Sequence, residues 1–294
     1  MRNGLVDLHL HSKFSCDGDF LPEELARMAR DNGFRAIAIA DHDTVAGYPK
    51  AIEAGQKYGV EVISSIELTT IFDSREFHLL LPLVNWKSKT IKSLVSQMKE
   101  NRMEEAKVRV QRLREIGLEL DWDEVWTRSG QNPPLGVKIA QILLDKPENR
   151  QNPRLKKYYD QDGQPFAPFL FYQDFFAEGG LAYVPKKYPK LEEVLKLAPL
   201  TGGVPVLSHP GAYFQLATRE DLTYLKEIGL QGLEVYTSYH HQDEIEYYKK
   251  IAEELDLVIT AGSDFHGRIK PGVKFGLIKE GDYSMVERLR ERKS

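Results

Sequence analysis

The sequence holds eight histidines, and six of them stand where metal chemistry could use them. His9 and His11 are separated by one residue in DLHLHS. His42 follows Asp41 in ADHDT, His78 lies in FHLLL, His209 in LSHPG and His266 in GSDFHG. Carboxylates accompany them: Asp17, Asp41, Glu67 and Asp264. A strand alternates its faces and advances about 3.3 Å per residue, so the two imidazoles of His-x-His project from one face about 7 Å apart at their α-carbons. Metal–nitrogen bonds of about 2.0–2.1 Å then let both rings reach one ion. Asp264-x-His266 repeats that geometry far down the chain. Each motif alone would be an ordinary pair of side chains. Together they are hard to obtain from core packing, because buried charges are costly without partners. The joint pattern predicts a multinuclear metal site. Cys16, beside Asp17, reads as a small buried residue rather than a ligand.

The elements that must position these residues alternate. Val6 to His11 alternates apolar and polar side chains, and Arg35 to Ala40 is the apolar run of a strand buried on both faces. EVISSIEL, EFHLLLPLV, VPVLSH, GLEVY and VITAGSDF complete seven expected strands. Helical patterns fall between them, such as PEELARMARDNGF, with Pro22 in its first turn and Gly33 closing it. Alternating βα units predict a parallel sheet or barrel, and in a barrel the strand ends meet at one face where scattered residues converge. Residues 88–179 break the pattern: a long Lys-, Arg- and Glu-rich helix over 88–117, a short helix over 121–128, then prolines at 133, 134, 147 and 153. The expected organisation is residues 1–87 and 180–294 as one α/β domain, with a mostly helical insertion or cap at 88–179 between the fourth and fifth strands.

Composition limits the alternatives. Apolar residues are 41% and charged residues 29% of the 294, inside the globular range. The formal charge of −4 leaves no global basic footprint for a nucleic-acid coat. A lone cysteine forms no internal disulfide and fits a reducing compartment. The start of the chain lacks a signal-peptide core, and no run approaches the 18 or so apolar residues of a membrane span. A cytoplasmic protein without a membrane partner is expected, and no obligate protein partner is evident.

The motifs DLHLHS, ADHDT, SIEL, FHLLL, LSHP and GSDFHG, in that order from Asp7 to Gly267, resemble the polymerase-and-histidinol-phosphatase (PHP) family of metal-dependent phosphoesterases. The resemblance implies a distorted seven-stranded (β/α) barrel and two or three metal ions. It places His9, His11, Glu67 and Asp264 on the first ion. Glu67 is shared with His78 and His209 on the second, and Asp17, His42 and His266 hold the third. The segments AYVP, GGVPVLSHPG and LEVYTSYH are similar to the subgroup acting on nucleotides and short oligoribonucleotides. Two features depart from it. Asp17 sits one place late, and the insertion's usual Gly-Arg-Pro-His run reads Leu135, Gly136, Val137, Lys138.

The implied activity is hydrolysis of a phosphate monoester by a metal-bound hydroxide, with the ions stabilising attacking and leaving oxygens. Mixed imidazole and carboxylate ligands suit Mn²⁺, Fe²⁺ or Zn²⁺ and argue against Ca²⁺. Asp41 and Asp7 are candidates to orient ligating imidazoles from behind. Lys138, Lys186, His240 and Arg268 are candidate substrate contacts. His240 and neighbouring His241 read equally well as solvated helix-start residues. The expected substrate is a small phosphorylated metabolite, a nucleoside monophosphate or 3′,5′-bisphosphate before others. A 5′-to-3′ exoribonuclease on short RNA, or a histidinol-phosphate-type phosphatase, is the alternative.

Overall fold

The alternating run at the start of the chain forms strand β1 (Leu5–Leu10). In the computed structural model, which describes residues 4–15, 17–130, 133–159 and 166–293, β1 heads a parallel sheet in the order β1-β2-β3. Helix α1 (Pro22–Asp31) leads to β2 (Phe34–Ile39), and α2 (Tyr48–Tyr58) leads to β3 (Glu61–Ser64). Pro22 sits in the first turn of α1, where its missing N–H is not needed. The Leu21 N–H donates to the Glu24 carboxylate at 2.7 Å, and Gly33, at φ +72°, turns the chain into β2. Cys16 lies outside the described residues.

The next strands differ from expectation. EVISSIEL is not one strand: β3 ends at Ser64, and β4 (Glu67–Phe72) begins in a second sheet. β4 pairs antiparallel with β5 (Arg75–Leu80) through a hairpin whose central residues, Asp73 and Ser74, have φ of 47° and 61°. Two successive positive φ values make the tight turn that matches strand twist, here built without the usual glycine. The second sheet runs β4-β5-β6-β7-β8, with β6 (Val206–Leu207), β7 (Gly232–Thr237) and β8 (Val258–Gly262). β5 and β6 are antiparallel, and only β6-β7-β8 keep the parallel pattern. The described residues thus form eight strands in two sheets, where a distorted seven-stranded (β/α) barrel was the expectation. Isolated bridges link Leu10 with Phe265 and His42 with Glu67 across the two sheets.

The chain divides into two compact units, Met1–Val95 with Tyr188–Ser294, and Ser96–Lys187. Helix α3 (Lys89–Glu115) begins in the first and continues into the second. There α4 (Trp122–Arg128), α5 (Gly136–Asp145), α6 (Lys156–Tyr159) and α7 (Ala167–Phe175) follow, with no strand among the described residues. This unit has its own core, including Leu113, Ile139, Leu143, Leu155, Phe171 and Phe176. In the first unit, α8 (Leu191–Thr201), α9 (Arg219–Glu227), α10 (Gln242–Glu254) and α11 (Tyr283–Arg292) complete the fold. Thr218 and Asp221 cap α9 reciprocally, and Arg75 of β5 forks onto both Asp221 oxygens at 2.9 Å. Val6, Ala36, Ile63, Val206, Ala261 and Leu289 pack one core of this unit. No described helix is long and apolar enough to cross a membrane.

Candidate metal centre

Glu67, the first residue of β4, stands at the middle of the histidine cluster and is fully buried. Its Oε2 lies 3.2 Å from each of His9 Nε2, His11 Nε2 and His42 Nδ1. Its Oε1 lies 3.1 Å from both His78 Nδ1 and His209 Nε2, and accepts from the Ser208 hydroxyl at 3.0 Å. Asp264 follows β8 and sets Oδ1 3.0 Å from His11 Nε2 and 3.3 Å from His9 Nε2. Asp17 Oδ2 is 3.3 Å from His266 Nε2 and 3.6 Å from His42 Nε2. Three sets of donor atoms converge closely enough to hold an ion each: His9, His11, Glu67 and Asp264; His11, Asp17, His42 and His266; and His42, Glu67 and His78. The last of these sets joins His42 rather than His209 to Glu67 and His78, although His209 also touches Glu67.

The backbone is strained where it delivers these groups. Asp264 has φ 55° and His209 φ 28°, in the left-handed region that costs a side-chain-bearing residue roughly 1–3 kcal/mol and concentrates at functional sites. Second partners fix the rings. His9 Nδ1 is 3.0 Å from Glu234 Oε1, His78 Nε2 is 3.2 Å from Glu76 Oε1, and His266 Nδ1 is 2.9 Å from the Asp264 carbonyl. An acceptor at the far nitrogen holds a proton there and turns the near lone pair toward the cluster. Gly262 makes room for this: a Cβ there would lie 2.3 Å from both Glu234 Oε1 and His9 Cβ.

The electrostatics show what the pocket lacks. Burial works against charge on Glu67, Asp264 and Asp17, yet the surrounding imidazoles hold all three carboxyls well below the usual range. Burial also opposes protonation of His11 and His78, and the carboxylates outweigh it, raising them to about 9 and about 10. Burial prevails at His42, which falls to about 3. Glu67 Oε2, Asp264 Oδ1 and the Nδ1 atoms of His11, His42 and His209 are buried without a hydrogen-bond partner. Buried carboxylate oxygens without a donor, set among imidazole nitrogens, fit divalent cations bound by nitrogen and oxygen.

The other expected residues fall elsewhere. Both Asp41 oxygens are taken by Ser12, from its N–H at 2.6 Å and its hydroxyl at 2.7 Å. Asp7, whose carboxyl burial raises to about 6, accepts from the N–H groups of His9 and Ser263. Both acids therefore brace the backbone beside the ligands, not an imidazole. His240 donates from Nδ1 to the Val235 carbonyl and accepts at Nε2 from the Gly211 N–H, so both ring nitrogens serve the backbone rather than a substrate. His241 begins α10. Arg268 is exposed and pairs with Asp19. Lys138 and Lys186 belong to the second unit, where Lys138 Nζ is 3.4 Å from Gln141 Oε1. Sequence reasoning missed Glu234, Glu76 and Lys270. A glutamate inside the apolar strand GLEVY was a readable signal for the first, and nothing local marked the other two.

Residues 7–120 match the family model described as "PHP domain". Over that stretch the chain is similar to the PHP domain. Three relatives match along most of its length. The phosphoribosyl 1,2-cyclic phosphate 1,2-diphosphodiesterase of Eggerthella lenta is 29% identical over 90% of this chain and 95% of its own. The 5′-3′ exoribonuclease of Haemophilus influenzae is 26% identical over 92% and 94%. The 3′,5′-nucleoside bisphosphate phosphatase of Chromobacterium violaceum is 23% identical over 89% and 87%. A solved structure, a putative metal-dependent phosphoesterase from Bifidobacterium adolescentis, superposes with TM-score 0.82 at 27% identity, covering 98% of this chain and 96% of that one. The likeness along the chain is to proteins named as phosphoesterases, a phosphatase and an exoribonuclease.

Proposed function

We propose that the chain hydrolyses a phosphate monoester carried on a small nucleotide, a nucleoside monophosphate or 3′,5′-bisphosphate, using two or three divalent cations held by this cluster. His9, His11, Glu67 and Asp264 would hold one. Glu67 with His78, and His42 or His209 beside them, would hold a second, and Asp17, His42 and His266 a third. Such cations, when bound, make water nucleophilic at neutral pH and offset charge on the phosphoryl oxygens. The protein's part is placement. Glu67 offers both carboxylate oxygens to opposite halves of the cluster. Glu234 and Glu76 fix the rings of His9 and His78. The observation that carries the reading is Glu67, a fully buried carboxylate with five imidazoles within 3.2 Å. The nucleotide monoester is supported by the relative named a 3′,5′-nucleoside bisphosphate phosphatase, while the other two are named a cyclic-phosphate diphosphodiesterase and an exoribonuclease.

The test strips the protein with chelator, reloads Mn²⁺, Fe²⁺ or Zn²⁺, and compares three substrates: a 3′,5′-bisphosphorylated nucleoside, a nucleoside monophosphate and a 5′-phosphorylated short RNA. Release of inorganic phosphate from a nucleotide, absent without metal and lost in His9→Ala, is expected. Faster cleavage of the RNA would replace this reading with the exoribonuclease. No hydrolysis of any of the three would overturn it.

A further inference from the structure

We propose that Lys270 contacts the substrate, giving an N–H to a phosphoryl oxygen of the ester bound at the histidine and carboxylate cluster. This rests on the function proposed above. Lys270 Nζ lies 2.7 Å from Asp264 Oδ2, while the other oxygen of that carboxylate faces His9 and His11. The ammonium therefore stands one carboxylate's width from the cluster. It sits 3.8 Å from the centre of the Tyr239 ring and 3.4 Å from Ser238 Oγ. The same Tyr239 ring packs against His209 at 4.8 Å, so the aromatic support under the lysine is continuous with the cluster wall.

Three features make this a cation kept for a ligand rather than a solvated surface charge. The Lys270 side chain is 27% exposed, open enough to meet a ligand yet held in place on one side by Tyr239. A lysine has three N–H donors, and Asp264 and Ser238 account for two of them. The phosphate of an ester carries several negative oxygens, more than ligation at one cluster covers, and a compact ammonium with rotatable donors suits one that projects past the rim. The competing account is that Lys270 only braces Asp264. The two differ in what fails first: the brace loses metal, and the substrate contact loses phosphate affinity.

The experiment uses the full chain loaded with Mn²⁺, as wild type, Lys270→Met and Lys270→Arg. It reads metal content per chain, thermal melting, the Kd of inorganic phosphate by calorimetry, and kcat and KM for the best nucleotide. Lys270→Met should keep its metal and its melting temperature. It should bind phosphate about tenfold to a hundredfold more weakly, the scale of a lost hydrogen bond to a charged group. Lys270→Arg should recover most of that loss. Phosphate affinity within twofold of wild type in fully loaded Lys270→Met would overturn the inference and leave the function standing. A metal deficit in Lys270→Met would overturn it in favour of the brace. A wild-type chain that neither binds phosphate nor hydrolyses an ester would overturn both.

Discussion

Replacing Glu234 by Gln changes one atom and removes one charge, and the structure says where the loss should appear. Glu234 is fully buried on β7. One carboxylate oxygen faces His9 Nδ1 at 3.0 Å, and the other accepts from the His209 N–H at 2.9 Å. Both neighbours are donors, so a carboxylate satisfies both. A glutamine offers one acceptor oxygen and must aim its NH₂ at the other donor. The mismatch leaves a buried donor unpaired, at about 1–3 kcal/mol. If the amide faces His9, the ring loses the acceptor that holds the proton on Nδ1, and the tautomer that turns Nε2 toward Glu67 and Asp264 is no longer favoured. Removing such a partner lowers metal affinity by roughly 10- to 100-fold. The assay is Mn²⁺ titration of stripped protein alongside melting and turnover at saturating metal. The expected Glu234→Gln result is a weaker metal Kd, a lower melting temperature, and turnover that partly recovers at high Mn²⁺. Gly262→Ala should act through the same contact, because its Cβ would lie 2.3 Å from Glu234 Oε1 and from His9 Cβ. Wild-type metal affinity in Glu234→Gln would refute the reasoning that His9 is oriented from behind.

Metal uptake should release protons and tighten with rising pH. His11 and His78 hold protons up to about 9 and about 10 when no cation is bound, and a ligating imidazole must give its proton up. Calorimetry in buffers of different ionisation enthalpy between pH 6 and pH 9 checks this, and a pH-independent Mn²⁺ affinity with no proton release would contradict it. His240 should make the fold acid-sensitive. Burial depresses its pKa below 6.5, so the unfolded chain gains the proton first, and this stability is complete above pH 6.5 and lost as pH falls toward the folded value. His240→Gln should be less stable than wild type at pH 7.5 by about 1 kcal/mol and should lose less between pH 6.5 and pH 5, whereas parallel melting curves would rule this out.

The fold was legible in the sequence where periodicity and burial agree. β1 and β2 read directly from the alternation of Val6, Leu8 and Leu10 and from the apolar run at Arg35 to Ala40. What failed was the change of sheet at Ser65 and Ile66, inside an unbroken strand-like run. The reversal at Asp73 and Ser74 was also missed, because two positive φ values without glycine or asparagine give little signal. Both failures concern pairing partners, and register between distant segments is set by tertiary packing that a local pattern does not contain.

The site divides along the same line. Residues with a chemical reason to recur at short spacing, His9 with His11 and Asp264 with His266, were visible because the spacing itself is the signal. Of the groups that aim them only Glu234 left a local mark, a glutamate inside GLEVY, and its partner stayed hidden because it reaches His9 across 225 positions of sequence. That asymmetry has a consequence for how the centre works. The motif residues bring donor atoms to one place. Which nitrogen of each ring faces inward is decided by Glu234, Glu76 and the Asp264 carbonyl, on β7, β5 and the turn after β8. Two of these are carboxylates added to a pocket already crowded with Glu67, Asp264 and Asp17. Extra negative charge around buried imidazoles favours their protonated forms in the empty pocket and cation binding in the filled one. The outer carboxylates therefore make metal and proton direct competitors for the same lone pairs.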